Sequence, residues 1–208
     1  MLVVPTYQEA GNIEQLLRAV RAAVPDISIL VVDDNSPDGT GLIAEEVGAA
    51  IGGVEVLHRA GREGLGAAYR HGFRHALDQG HDVVAQMDAD LSHDPMVLPR
   101  LLGALEDGAA VAVGSRYVPG GSVPNWTWFR QQLSQWGNGY AHTMLRLSFN
   151  DATSAFRAYR ATSLETIAID DTRANGYLFQ IETACRINGI MRLVAPLVFG
   201  IIAYASLA

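Results

Sequence analysis

The sequence predicts an α/β protein built on an open, mostly parallel sheet, and three observations predict it. Short apolar runs alternate with longer stretches whose apolar residues recur at helical spacing. Three of those runs end in acidic or polar turns, Pro5–Glu9, Asp33–Asp38 and Asp88–Asp94. The composition is ordinary for a globular protein: 208 residues, 49% hydrophobic and 18% charged, enough for one domain with a full core.

Taken in order, Met1–Val4 reads as a strand that stops at Pro5. Asn12 to Val24 carries Ile13, Leu16, Leu17 and Val20 on one helical face, with Asn12 placed to cap its start. Ile27–Val32 is a buried strand halted by Asp33-Asp34-Asn35-Ser36-Pro37. A helix over about 39–49 and a strand at Val54–His58 follow. The glycine loop Gly61–Gly66 leads into a helix with Leu65, Ala68, Tyr69, Phe73, Ala76 and Leu77 on one side. Val83–Met87 and Val111–Gly114 are further strands, and the Arg-, Trp- and Gly-rich sequence after them reads as the part that completes a site. The apolar stretch Leu193–Ala208 contains Pro196 and Gly200 and is shorter than the ~20 residues that span a bilayer. It reads as a buried strand plus tail, or as an interfacial or clipped membrane segment.

Composition narrows function by exclusion. The single cysteine, Cys185, excludes an internal disulfide and a cysteine-built zinc site. All 15 cationic side chains are arginine, and the net charge of −7 argues against a general nucleic-acid coat, which needs a basic face. The opening MLVVPTYQEAGN has no basic n-region and is not read as a signal peptide.

In open parallel sheets ligands sit beyond the carboxyl ends of the strands, so the three turns are expected to converge on one crevice. Asp88-Ala89-Asp90 places two carboxylates at i and i+2 past a buried strand. Such a pair suits Mg²⁺ or Mn²⁺ shared with substrate phosphates, and it equally suits a solvated turn. An EF-hand loop fails there, because His93 and Pro99 stand where Gly and Glu are needed. Asp33 and Asp34 could accept hydrogen bonds from a ribose or base, or serve a capped turn. Asp38-Gly39-Thr40 lacks the preceding nucleophilic Asp of an aspartyl phosphatase, since Ser36 stands there. Gly61–Gly66 reads as a tight strand-to-helix turn in preference to a phosphate cradle. Arg116 and Arg130, with Ser134 one turn on, are candidates for phosphate contact or for surface ion pairs. All three tryptophans lie between Trp126 and Trp136, as a small core or an amphipathic surface at a lipid boundary.

These residues resemble family 2 glycosyltransferases, specifically the polyprenyl (dolichyl) phosphate mannose synthases. The matching segments are VVPTYQEAGNI, VVDDNSPDGTG, REGLGAAYRHGF, QMDADLSHDP, GSRYVPGG, RQQLSQWGN, NDATSAFRAYR and GYLFQIE, in family order from Val3 to Glu182. The resemblance implies a GT-A fold, a Rossmann-like, mostly parallel open sheet with helices on both faces. It implies one catalytic domain over 1–208, with a nucleotide-sugar half at 1–110 and an acceptor half at 111–208. The reaction implied is inverting transfer of mannose from GDP-mannose to a polyprenyl phosphate, assisted by Mg²⁺ or Mn²⁺. A UDP-sugar donor, or a non-catalytic nucleotide-sugar-binding subunit, are the alternatives.

Carried over by position, Pro5, Tyr7, Glu9, Val32 and Asp34 resemble the nucleotide pocket. Asp88, Ala89 and Asp90 resemble the donor-phosphate and metal segment, with Asp90 the direct ligand, and Ser92 stands where the family often has Gln. Arg116, Arg130 and Ser134 resemble the acceptor-phosphate clamp, and Asp90, Arg116 and Arg130 take the catalytic roles. Gln180 and Glu182 line the acceptor side or serve structure. The resemblance also implies peripheral contact with the cytoplasmic face of a membrane, allows a membrane-anchoring subunit, and involves no nucleic acid. The family usually follows a late strand, here expected at Val194–Val198, with an R-x-x-G-x-S-K loop. No arginine follows Arg192 and the chain has no lysine, so either an incomplete or altered end or an impaired donor closure is expected, as is a short start at Met1.

Overall fold

In the computed structural model, which describes residues 1–115, 153–194 and 206–207, the apolar runs form the strands of one mixed sheet. Its strands are β1 (Leu2–Thr6), β2 (Ile29–Asp33), β3 (Val54–His58), β4 (Val83–Gln86), β5 (Val111–Gly114), β6 (Arg157–Arg160) and the two-residue β7 (Ser206–Leu207). Their order is β3-β2-β1-β4-β6-β5-β7. The first four positions are parallel, β6 runs antiparallel to both β4 and β5, and β7 is parallel to β5.

The helices are α1 (Ile13–Ala23), α2 (Thr40–Ile51), α3 (Leu65–Asp78), α4 (Leu98–Glu106), α5 (Ala161–Thr166) and α6 (Tyr177–Val194). The two-residue period of the strands divides the core into two layers. Leu2, Val4, Ile29, Val31 and Ala85 face α1, α2 and α4 through Leu16, Leu17, Ala44, Val47 and Leu101. Val3, Leu30, Val32 and Val84 face α3, α5 and α6 through Tyr69, Phe73, Leu164 and Phe179. Helices therefore cover both faces, as expected.

Two local expectations are corrected. Asn12 precedes α1 but makes no capping bond with its side chain, which donates to Glu9 Oε2 at 2.7 Å. The first strand runs through Pro5 and does not stop there. Met1 and Val3 turn their carbonyls to β4, so Pro5, next in that alternation, faces the same way. The β1–β4 ladder has already ended by then, and no backbone donor is needed. Of the late strand expected at Val194–Val198, Val194 closes α6 and the remainder lies outside the described residues.

Candidate active site

β1 pairs with β2 along its whole length but with β4 only at Leu2 and Val3. The last bond across that seam runs from the Met87 N–H to the Val3 carbonyl at 3.2 Å. Past it the two strands part, at the point where the strand order reverses direction, and this is where an open α/β sheet leaves a crevice. A cleft of about 230 Å³ opens there. Pro5, Tyr7, Glu9, Asp34, Asp88, Ala89 and Asp90 line it, as the sequence leads one to expect. Thr6, Arg62, Gly64, Leu65 and Ala68 join them. Val32 does not: its side chain is fully buried among Val3, Leu30 and Ala68. Because β2 is covered on both faces, neither phase of its alternation opens onto the cleft.

The turns after β1 and β2 are stitched together by side chains of the Asp33–Thr40 segment. Gln8 N–H donates to Ser36 Oγ at 3.1 Å, Glu9 N–H to Thr40 Oγ1 at 2.9 Å, and Ala10 N–H to Asp38 Oδ2 at 3.1 Å. Asp33, 3% exposed, accepts from Thr6 Oγ1, from Ser36 N–H and from Ser36 Oγ. Its carboxylate is consumed by the turn and is absent from the cleft lining. Asp34 does line the cleft, backed by the buried Arg59, whose Nη1 donates to Asp34 Oδ1 and whose Nη2 donates to Glu63 Oε2 at 2.6 Å. Hydrogen bonding to Thr40, and to the Ala10 and Thr40 N–H groups, holds the Asp38 carboxyl below its ordinary value.

The turn after β4 is built differently. Ala89 is buried against the core, which sends the carboxylates on either side of it into the cleft. Asp88 Oδ1 accepts from the Tyr69 hydroxyl at 2.7 Å, and Asp90 Oδ1 accepts from the Ser92 N–H at 3.0 Å. Burial, with the Asp88 charge adding to it, pushes the Tyr69 hydroxyl well up, so it stays a donor. Each of the three turns contains one non-glycine residue in the left-handed region: Gln8 (φ 61°), Asn35 (φ 57°) and Leu91 (φ 58°). Strained corners of this kind concentrate at functional sites.

Sequence reading missed the cleft role of the glycine loop. Arg62 sits with its guanidinium 4.3 Å from the Tyr7 ring centroid, a cation–π contact that points a positive group over an acidic cleft. The loop is glycine-rich for a reason remote in sequence. A Cβ on Gly66 would lie 2.4 Å from the Ala174 carbonyl, so the 172–176 segment packs on bare backbone. That segment is pinned by Glu182, which accepts the Arg173 and Ala174 N–H groups at 3.0 and 2.9 Å. Burial raises the Glu182 carboxyl, but these bonds and Arg186 outweigh it and hold the group below its ordinary value. Gln180, which is buried, accepts from Gln86 Nε2 at 2.8 Å. Both residues thus serve the framework of the site. Arginine in a glycine loop at a strand end is the one sequence signal that could have marked Arg62.

The cleft concentrates Asp34, Asp88, Asp90 and Glu9 against few cations. A diphosphate entering it requires a countercharge, and two carboxylates fit a hard divalent ion that takes its remaining ligands from phosphate and water. Among the described residues no group of three or more His, Cys, Asp or Glu side chains is placed to hold a metal ion by itself. Arg116, Arg130, Ser134 and the cluster from Trp126 to Trp136 lie outside the described residues. No described helix is long and apolar enough to cross a membrane.

The mixed, mostly parallel sheet with helices on both faces is a fold shared with solved GT-A glycosyltransferases. The description Glycosyl transferase family 2 matches residues 1–168, and the chain belongs to that family. It is 45% identical over 202 residues to a polyprenol monophosphomannose synthase from Mycolicibacterium smegmatis, covering 96% of this chain and 76% of that protein. It is likewise 45% identical over 186 residues to an undecaprenyl-phosphate mannosyltransferase from Micrococcus luteus, covering 89% and 76% respectively. Among solved structures, glucosyl-3-phosphoglycerate synthase from Mycobacterium tuberculosis, crystallised with Mn²⁺, UDP and glucosyl-3-phosphoglycerate, superposes with a TM-score of 0.64. That match is 20% identical, covers 94% of this chain and 65% of the other, and bears on the fold alone.

Proposed function

We propose that this enzyme transfers a mannosyl group from GDP-mannose to a polyprenyl phosphate. The observation that carries the reading is the meeting of Asp34, Asp88 and Asp90 in one cleft at the β1–β4 switch point, in a chain so similar to two polyprenyl-phosphate mannosyltransferases. Residues 1–110 form the donor half; every described residue that lines the cleft falls within it. In this reading Pro5, Tyr7, Glu9 and Asp34 receive the nucleoside, with Val32 supporting them from below. Asp88 and Asp90 would hold Mg²⁺ or Mn²⁺, Asp90 as the direct ligand, with Ala89 between them in the donor-phosphate segment. The ion supplies Lewis-acid neutralisation of the departing diphosphate.

Residues 111–208 form the acceptor half. There Arg116, Arg130 and Ser134 clamp the incoming phosphate, and Arg116 and Arg130 neutralise its approach. A phosphate monoester is already anionic at pH 7, so positioning matters more than deprotonation, and no general base is invoked. One in-line displacement at the anomeric carbon inverts it. The lipid acceptor places the reaction at a membrane, where the protein works peripherally on the cytoplasmic face, alone or with an anchoring subunit.

The test is a transfer assay with purified protein, a short polyprenyl phosphate in detergent, and Mg²⁺ or Mn²⁺. GDP-mannose and UDP-glucose are offered separately. Mannose appearing in the lipid phase is the expected result. Transfer from UDP-glucose alone overturns the donor, and GDP-mannose binding without turnover overturns catalysis in favour of a binding subunit.

A further inference from the structure

The geometry points to Tyr69 as the positioning residue that fixes the orientation of the Asp88 carboxylate, and through it the grip of the site on its divalent cation. This rests on the proposed role of Asp88 and Asp90. The two carboxylates are oriented by different means. Asp90 is held locally, by the N–H of Ser92 two residues on. Asp88 is held from another element, by a hydroxyl that α3 carries across the second core layer.

Tyr69 is built for that task. Its side chain is fully buried, and its ring stacks on Phe179 at 5.7 Å and 6° between planes, with Phe73 also at 5.7 Å. A ring fixed on two sides delivers its hydroxyl to one place. Rotation of a carboxylate about its last bond is soft, so what lies beside its two oxygens, Tyr69 at Oδ1 and His93 Nε2 4.0 Å from Oδ2, decides how it turns. The 2.7 Å bond to Oδ1 makes them inequivalent and settles how the group faces the cleft. Hydrogen-bonded partners of metal-binding carboxylates typically govern affinity by about 10–100-fold. Tyr69→Phe removes this donor while keeping the ring and its stacking.

The test reads Mn²⁺ binding directly, by the electron paramagnetic resonance signal of free Mn²⁺ in titrations of the full chain with saturating GDP. Mn²⁺ dependence of turnover is measured alongside. Tyr69→Phe is expected to weaken Mn²⁺ binding about tenfold and to raise the Mn²⁺ needed for half-maximal rate in parallel. Leu16→Ala, a cavity on the opposite face of the sheet, should lower Tm and leave Mn²⁺ affinity unchanged. Wild-type affinity in Tyr69→Phe overturns the assignment and leaves the cation site standing. Failure of the wild type to bind Mn²⁺ overturns the cation site, unaltered binding in Asp88→Asn overturns the part of Asp88 in it, and either takes the assignment with it. A Tyr69→Phe chain that does not fold also overturns it, because a group that only positions is dispensable for folding.

Discussion

The turns after β2 and β4 carry acidic pairs that look alike in the sequence and are put to opposite uses. Asp33 spends its carboxylate on Thr6 and Ser36 and is 3% exposed. Asp90, with the Ser92 N–H as its described bond, stands exposed at the cleft. What separates an architectural acid from a chemical one is how many protein donors already occupy it. A carboxylate saturated by its own turn has little left for a ligand, whereas one bonded through a single oxygen keeps capacity for a cation.

Substitutions that remove each kind of acid should separate stability from activity. Asp90→Ala has the largest expected effect: transfer falls by more than about 100-fold, while the melting curve by circular dichroism stays close to wild type. Asp33→Ala should do the reverse. It strands the Thr6 and Ser36 donors and costs about 2–3 kcal/mol in denaturant unfolding, with residual activity tracking the folded fraction. If both variants lost activity without losing stability, the distinction between the two turns would collapse.

Gly66→Ala tests whether the glycine loop belongs to the site through packing. Its Cβ would meet the Ala174 carbonyl, so about 1–2 kcal/mol of overpacking is expected. Because Arg62 and Gly64 line the cleft, KM for the sugar nucleotide should rise more than kcat falls. The smallest effect is a pH signature. Asp38 has a carboxyl held below its ordinary value, so it contributes stability above about pH 4 that is lost as pH falls through its lowered folded value. Asp38→Asn should therefore be less stable than wild type at neutral pH, with the gap closing only below about pH 4. A gap independent of pH down to 2 would show that the Asp38 charge contributes nothing.

Much of this architecture is local and hence legible. β3 and β5 fall where alternating apolar runs end, α1 and α3 where helical spacing begins, and three polar turns mark the strand ends that meet at the cleft. The illegible parts depend on partners distant in the chain. β6 reads as Arg-Ala-Tyr-Arg, which no apolar pattern marks as a strand. Its Arg157 is fully buried, donating to Ser154 O and Thr183 Oγ1. The need for glycine at position 66 comes from residue 174, and the support of Asp88 comes from α3. Val31 and Val32 are both buried, one in each core layer, so periodicity could not tell that neither reaches the cleft.

The insertion of β6 between β4 and β5 bears on how the chain comes to be made. β4 finds its outer neighbour only when Arg157–Arg160 arrives, and β5 has no bond to β4 except through that same strand. At ~5–20 residues per second of synthesis, β4 emerges several seconds ahead of the strand that covers it. For that interval one side of the seam carrying Asp88 is an open, apolar sheet edge, the kind of surface that recruits strands from other chains. A fragment cut after β5 would keep that edge for good. It would be expected to aggregate even though it contains every described residue that lines the cleft.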